Sequence, residues 1–253
     1  MSTTIPHLLE PYLDLPEETS LIVLSSILGA STNWLLFRYL HSYLKYTPPT
    51  SPNDDEPETA VLLVSFLRDY PFFQQSLAKL SLDLDSEAKK GRFLFVDGLS
   101  SLYLPAKGGA AIQNGDDLKQ VQAVIEAGVT SLLQQQQQQQ HGKKRRVVLV
   151  IDQPDFLVAS TAAENAAMAV RDMMLDLREK VHSCVLTVSA DDPLIHPSTT
   201  TPTPLETSHS WFVLSLIHEA DMLCALRLLD TGHGKGRQWC GQIHQLSGEQ
   251  KGG

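Results

Sequence analysis

The stretch Val147-Val148-Leu149-Val150-Ile151-Asp152 is the most strand-like segment of the sequence. Its unbroken aliphatic run is rich in β-branched residues, which favour extended backbone. A run without a polar interruption is typical of a strand that is covered on both faces, as the strands of a parallel sheet are. We therefore predict a buried parallel strand over residues 147–151, with Asp152 at its carboxyl end.

Similar short apolar runs alternate along the chain with longer segments of helical period. In residues 34–44, apolar side chains recur at spacings of three and four, which predicts a helix with one apolar face. This alternation is typical of β-α units with parallel strands. The further predicted strands are 21–24, 61–66, 93–96 and 185–188, and the further predicted helices are 71–82, 116–133, 162–181 and 211–217.

The last part of the chain has a different pattern. Residues 222–229 and 239–246 are strand-like and are joined by the glycine-rich stretch 231–237, which predicts an antiparallel hairpin. We predict a single α/β domain over residues 1–253, in which helices flank a mostly parallel sheet that ends in this hairpin. Three segments rich in proline, glutamine or small polar residues are predicted to be flexible insertions or loops: 47–58, 134–146 and 191–208.

The charge balance excludes a protein that wraps nucleic acid through its overall charge. Lys and Arg number 20 against 29 Asp and Glu, which gives a formal net charge of −9. The only dense positive run is Lys143, Lys144, Arg145 and Arg146. Each of these side chains is a candidate contact for an RNA phosphate, and the alternative is a solvated charge run beside the glutamine tract. The run precedes its strand and so lies opposite the sheet edge where α/β folds bind ligands.

Cysteine content and the first residues of the chain indicate a compartment. Cys184, Cys224 and Cys240 lack the close spacing of a zinc site, and an odd total argues against a disulfide framework. The first twenty residues carry four acids and no Lys or Arg, unlike a signal or transit peptide. No apolar run approaches the length of a membrane span. We expect a soluble protein of the reducing cytoplasm or nucleus without a membrane partner.

The turn after the first predicted strand occupies the place of a phosphate-binding loop. Such a loop needs glycines around a four-residue spacer, a lysine for the β- and γ-phosphates and a hydroxyl for magnesium. Here Ser26 replaces the first glycine, and the lysine is missing. We interpret the turn as a vestigial nucleotide loop without hydrolysis of its own, made of Ser26, Gly29, Ala30, Ser31, Thr32 and Asn33.

No other motif supports catalysis. Asp152 ends its strand where related folds place the acid that holds magnesium, and without the lysine we interpret it as a vestigial acid that begins a turn. The stretch 232–236 resembles a nucleotide loop, but a strand and not a helix follows it. His218-Glu219 lacks the second histidine of a metalloprotease. We predict no catalytic residue, no metal site and no cofactor.

The order of these elements resembles a known family, the sixth subunits of the Elongator complex. The resemblance covers residues 21–246, and the three predicted insertions lie outside it and suggest a fungal member. No single motif decides it. The segments that carry it are Val61-Leu62-Leu63-Val64-Ser65-Phe66, Asp69-Tyr70-Pro71-Phe72-Phe73, Gly91-Arg92-Phe93-Leu94-Phe95-Val96-Asp97-Gly98-Leu99-Ser100, residues 147–152, His218-Glu219-Ala220-Asp221 and Leu226-Arg227-Leu228-Leu229-Asp230-Thr231-Gly232.

The resemblance implies a RecA-like, P-loop-ATPase-like fold with degenerate Walker motifs. It further implies a heterohexameric ring with two paralogous subunits, which binds tRNA, joins the catalytic Elongator subcomplex and supports modification of the wobble uridine at C5. Rings of this family are associated with ATP hydrolysis. The apolar faces of such a ring would come from Trp34, Phe37, Tyr39 and Trp239.

Our leading hypothesis is therefore a non-catalytic, ring-building subunit that directs loops at the strand carboxyl ends toward tRNA. One alternative is an ATP-hydrolysing subunit with an atypical loop, in which Ser31, Thr32 and Asp152 act and a partner supplies the cation. Another is a RecA-like adaptor of a different assembly, such as recombination paralogues. Co-purified partners would separate these hypotheses.

Overall fold

The computed structural model describes residues 7, 9–45, 57–100, 117–138, 145–161, 165–197, 201–228 and 239–245, with the backbone alone for 135–138 and 239–245. Its strands are β1 Ser20–Ser26, β2 Glu58–Ser65, β3 Phe93–Asp97, β4 Arg145–Asp152, β5 Ser183–Ser189, β6 Met222–Leu228 and β7 Trp239–Gln245. Its α-helices are α1 Asn33–Leu44, α2 Tyr70–Ala78, α3 Leu84–Lys89, α4 Leu118–Gln138, α5 Asp155–Ser160, α6 Ala166–Arg178, α7 Asp192–Ile195 and α8 Pro204–Glu219.

The strands form one sheet in the order β3-β2-β4-β5-β1-β6-β7. The first six strands of the chain pair in parallel, and β7 pairs antiparallel to β6. The expected mostly parallel sheet with a closing hairpin is thus confirmed. Because the strands are parallel, their carboxyl ends meet at a single sheet edge, called here the carboxyl edge.

Each central strand is buried on both faces, because successive side chains point to opposite sides of the sheet. In β4, Val147 and Leu149 pack in the core cluster beneath α4, α6 and α8. Val148 and Val150 pack in the cluster beneath α1, α2 and α3. The unbroken aliphatic run therefore packs into the cores on both faces of the sheet, as its composition predicts.

Several predicted boundaries differ from the observed ones. The expected helix 71–82 ends at Ala78, and α3 follows after Ser81, whose φ of 64° interrupts a right-handed helix. Of the expected helix 162–181, α6 covers Ala166–Arg178, and residues 162–164 lie outside the described part of the chain. The expected helix 116–133 continues to Gln138, because glutamine favours helix.

All three expected loops contain some regular structure, which in segment 47–58 is Glu58, the first residue of β2. Segment 191–208 includes α7 and the start of α8, where Thr203 and Glu206 form a capping box and prolines occupy the first turns. In segment 134–146, residues 134–138 belong to α4 and residues 145–146 to β4. Residues 47–56, 139–144 and 198–200 and the expected hairpin turn 231–237 lie outside the described part of the chain. Among the described helices, none has the length and apolarity needed to cross a membrane.

Candidate functional site at the carboxyl edge

The vestigial nucleotide loop is a tight turn between β1 and α1. The Ala30 N–H donates to the Ile27 carbonyl at 2.8 Å, and Gly29 takes a φ of 91°, which glycine adopts without strain. Thr32 precedes α1, but its side chain does not cap the helix. Leu28, at the tip, is 87% exposed. The turn thus closes on itself and presents an apolar side chain.

A carboxylate from a neighbouring loop accepts a hydrogen bond from a backbone amide of this turn. The Leu28 N–H donates to Asp191 Oδ1 at 2.5 Å, and the Ala190 N–H donates to the Ser26 carbonyl at 2.7 Å. Asp191 directly precedes α7, but its side chain makes no capping hydrogen bond to that helix. A fixed negative charge at this amide repels a phosphate, and residues 26–33 contain no cation to offset it.

Asp152 lies at the end of β4, and its carboxylate is fully enclosed. Oδ1 accepts a hydrogen bond from Thr187 Oγ1 at 2.9 Å. Oδ2 accepts one from Ser65 Oγ at 2.9 Å and lies 3.4 Å from the Arg68 guanidinium. These donors come from β5, β2 and the segment after β2. The acid therefore links three neighbouring strand ends.

A second buried network adjoins Asp152, and sequence reasoning missed it. Gln153, whose φ is 60°, accepts a hydrogen bond from Ser189 Oγ at 2.8 Å. Asp155 Oδ2 accepts from the Ser189 N–H at 3.3 Å, while His209 Nε2 lies 2.9 Å from the Ser189 carbonyl. Ser189 is thus held on both sides by ionisable groups. The polar run that follows the buried strand at residues 152–155 is the signal that could have indicated this cluster.

Asp155 is the titratable group of this network whose pKa departs clearly from its ordinary value. Burial raises its pKa to about 6, and the nearby His209 opposes part of that rise. Its Oδ1 has no hydrogen-bond partner among the described residues. Among the described residues, no group of three or more His, Cys, Asp or Glu is placed to hold a metal ion.

The basic run contributes less to the surface than expected. Arg145 belongs to β4, and its side chain is 1% exposed. Its guanidinium donates to Glu58 Oε2 at 2.7 Å, Gly91 O at 2.9 Å and Leu132 O at 3.0 Å. The proposed RNA contact by Arg145 is therefore wrong, because these internal partners occupy the group. Arg146 is partly exposed, and Lys143 and Lys144 lie outside the described residues.

The expected partner surface on α1 is also largely internal. Phe37 and Tyr39 are buried, and the Phe37 ring meets Phe73 edge-on at 6.1 Å between centroids. Their proposed exposure to a neighbouring subunit is therefore wrong, because the face of α1 that carries both residues packs into the core. Trp34 is partly buried, and the Trp239 side chain lies outside the described part.

Comparison with known proteins identifies the fold. No family model matches the sequence, and no curated protein does. The flagellar accessory protein FlaH from Methanocaldococcus jannaschii is similar in structure, with a TM-score of 0.52 and 14% identity over 90% of this chain and 78% of that one. A KaiC-like protein from Pyrococcus horikoshii has a TM-score of 0.55 and 14% identity over 97% and 87%. The chain thus has a RecA-like α/β fold, as expected.

Proposed function

We propose that this chain is a non-catalytic, RecA-like subunit of the Elongator complex. In this proposal it forms a heterohexameric ring with two paralogous subunits, in the cytoplasm and nucleus, and the ring joins the catalytic subcomplex. The ring binds tRNA and supports C5 modification of the wobble uridine. The RecA-like fold and the order of sequence segments support this assignment.

One observation carries the non-catalytic part of the proposal. The Asp191 carboxylate accepts the Leu28 N–H in a loop that has no lysine. A nucleotide would have to displace this carboxylate without a cation to neutralise its own phosphates. A charge-assisted phosphate contact stabilises by roughly 1.5–3 kcal/mol, so its loss weakens binding by at least about tenfold. Any ATP hydrolysis by the ring is then assigned to its other subunits.

The active-subunit alternative requires Asp152 to act on a magnesium-bound water. Its two oxygens instead hold Thr187 and Ser65, with Arg68 alongside. Freeing the acid would leave the two buried hydroxyls without their acceptor. This arrangement favours a structural role for Asp152 over a catalytic one.

The proposal is tested by purifying the tagged full chain from its source cells and identifying its partners. We expect recovery of two RecA-like proteins of similar size together with the catalytic Elongator subunits and tRNA. Recovery with recombination proteins in place of Elongator subunits would reject the assignment.

A further inference from the structure

An apolar surface lies at the carboxyl ends of β1 and β6. Leu28 is 87% exposed and Leu228 is 48% exposed. The two are brought together because Ser26 pairs with Leu226 in the parallel register. A Cβ built on Gly29 would lie 3.5 Å from Leu228 Cδ1, so the loop and the end of β6 meet without a gap. The segment that follows β5, the strand on the other side of β1, adds two acids to this surface.

Two acids, Asp191 and Asp192, border the apolar surface. Asp191 Oδ1 accepts the Leu28 N–H, and the residue is partly exposed. The Asp192 side chain is 90% exposed and lies 3.0 Å from His196 Nδ1. We call Leu28, Gly29, Leu228, Asp191 and Asp192 the carboxyl-edge patch.

Acidic residues also lie elsewhere along the described part of the carboxyl edge. Asp69 is exposed and Asp97 is partly exposed at the ends of the strands on the far side of the sheet. The cations at the described carboxyl ends are Arg68 and Arg227. Arg68 is held beside Asp152 and over the Phe72 ring at 5.0 Å. Arg227 precedes Leu228 in β6 and so projects from the opposite face. The described residues of this edge therefore favour a cationic partner over a polyanion.

We propose that the carboxyl-edge patch docks a protein segment in which lysine or arginine alternates with aliphatic residues. The aliphatic side chains cover Leu28 and Leu228, and the cations bind the carboxylates of Asp191 and Asp192. A phosphate-binding loop at this place would present backbone N–H groups and a lysine to phosphate. Here the loop presents the exposed Leu28 side chain, with Asp191 beside it. The inference goes beyond the proposed function, because it holds for any assembly that supplies such a segment.

The experiment titrates the isotopically labelled full chain with synthetic peptides and follows backbone amide signals. A peptide of alternating leucine and lysine is expected to shift the signals of Leu28, Gly29 and Asp192, with affinity that falls as salt rises. Leu28→Ser is expected to weaken binding about tenfold, since it removes most of one buried leucine side chain. Leu214→Ser, at a leucine of 42% exposure on α8, is the matched control and is expected to bind as the unaltered chain does.

Three results would overturn the inference. The first is equal binding of a leucine–glutamate peptide, which would remove the role of the acids. The second is a shift of the same amides by tRNA, which would make the surface a nucleic-acid site. The third is self-association in sedimentation that Leu28→Ser abolishes, which would make the occupant a second copy. None of these depends on Elongator partners, so failure of the assignment above and failure of this inference are distinguishable.

Discussion

Asp155→Asn is expected to flatten the dependence of stability on pH between about pH 4 and pH 6. Burial raises the pKa of Asp155 from its ordinary value of 3.8 to about 6 in the folded protein. Within this window the folded chain keeps the proton and the unfolded chain releases it. The free energy of unfolding therefore falls as pH rises through the window and is level above it. The shift corresponds to about 3 kcal/mol at 1.36 kcal/mol per unit.

Urea unfolding of both proteins across this pH range measures the effect. The stability of the Asp155→Asn variant relative to the unaltered chain should increase by about 3 kcal/mol from pH 4 to pH 7. Asp176→Asn, at an exposed acid of α6, is the control and should leave the slope unchanged. His209→Gln removes the opposing charge and should move the transition to higher pH. If the free energy of unfolding of the Asp155→Asn variant changed with pH as steeply as that of the unaltered chain, the effect could not be assigned to Asp155.

Asp152→Ala is expected to destabilise the protein by about 3–5 kcal/mol, as removal of one partner of a buried charged network does. The change leaves the hydroxyls of Ser65 and Thr187 without their acceptor and Arg68 without its counter-charge. Asp152→Asn keeps one oxygen acceptor and should cost less. The measurement is the free energy of unfolding at pH 7.

Asp97→Asn is the matched control for this change. Asp97 ends β3 and accepts hydrogen bonds from the N–H groups of Leu99 and Ser100, which asparagine can also do. We expect a change within about 0.5 kcal/mol for that variant. A catalytic acid is often held at a cost to stability, so its replacement tends to stabilise. A stability gain in Asp152→Ala would therefore contradict the structural role and support the active-subunit alternative.

The sheet could be predicted from the sequence because its strands are buried on both faces. The aliphatic run at 147–151 identifies such a strand without reference to any distant residue. The position of Asp152 follows from the same run. The turn at 26–33 could be recognised as a loop without the phosphate chemistry because that chemistry depends on a lysine at one fixed place.

The parts that could not be predicted depend on contacts between distant segments. Arg145 belongs to a basic run that has the composition of a solvated stretch, and its burial depends on Glu58, Gly91 and Leu132. Asp155 and His209 meet only because α5 and α8 both pack against the end of β5. The prolines in 191–208 indicated a loop, although proline also suits the first turn of a helix.

Titration of the isotopically labelled full chain with magnesium and ATP tests the central claim most directly. The signals to follow are the backbone amides of Leu28, Gly29 and Thr32 in the loop. Asp191 already accepts the hydrogen bond of the Leu28 N–H, and residues 26–33 contain no lysine. These signals should therefore show no saturable shift through the millimolar range of nucleotide. A saturable shift at micromolar nucleotide, at these amides of the isolated chain, would contradict the account and establish a working nucleotide site.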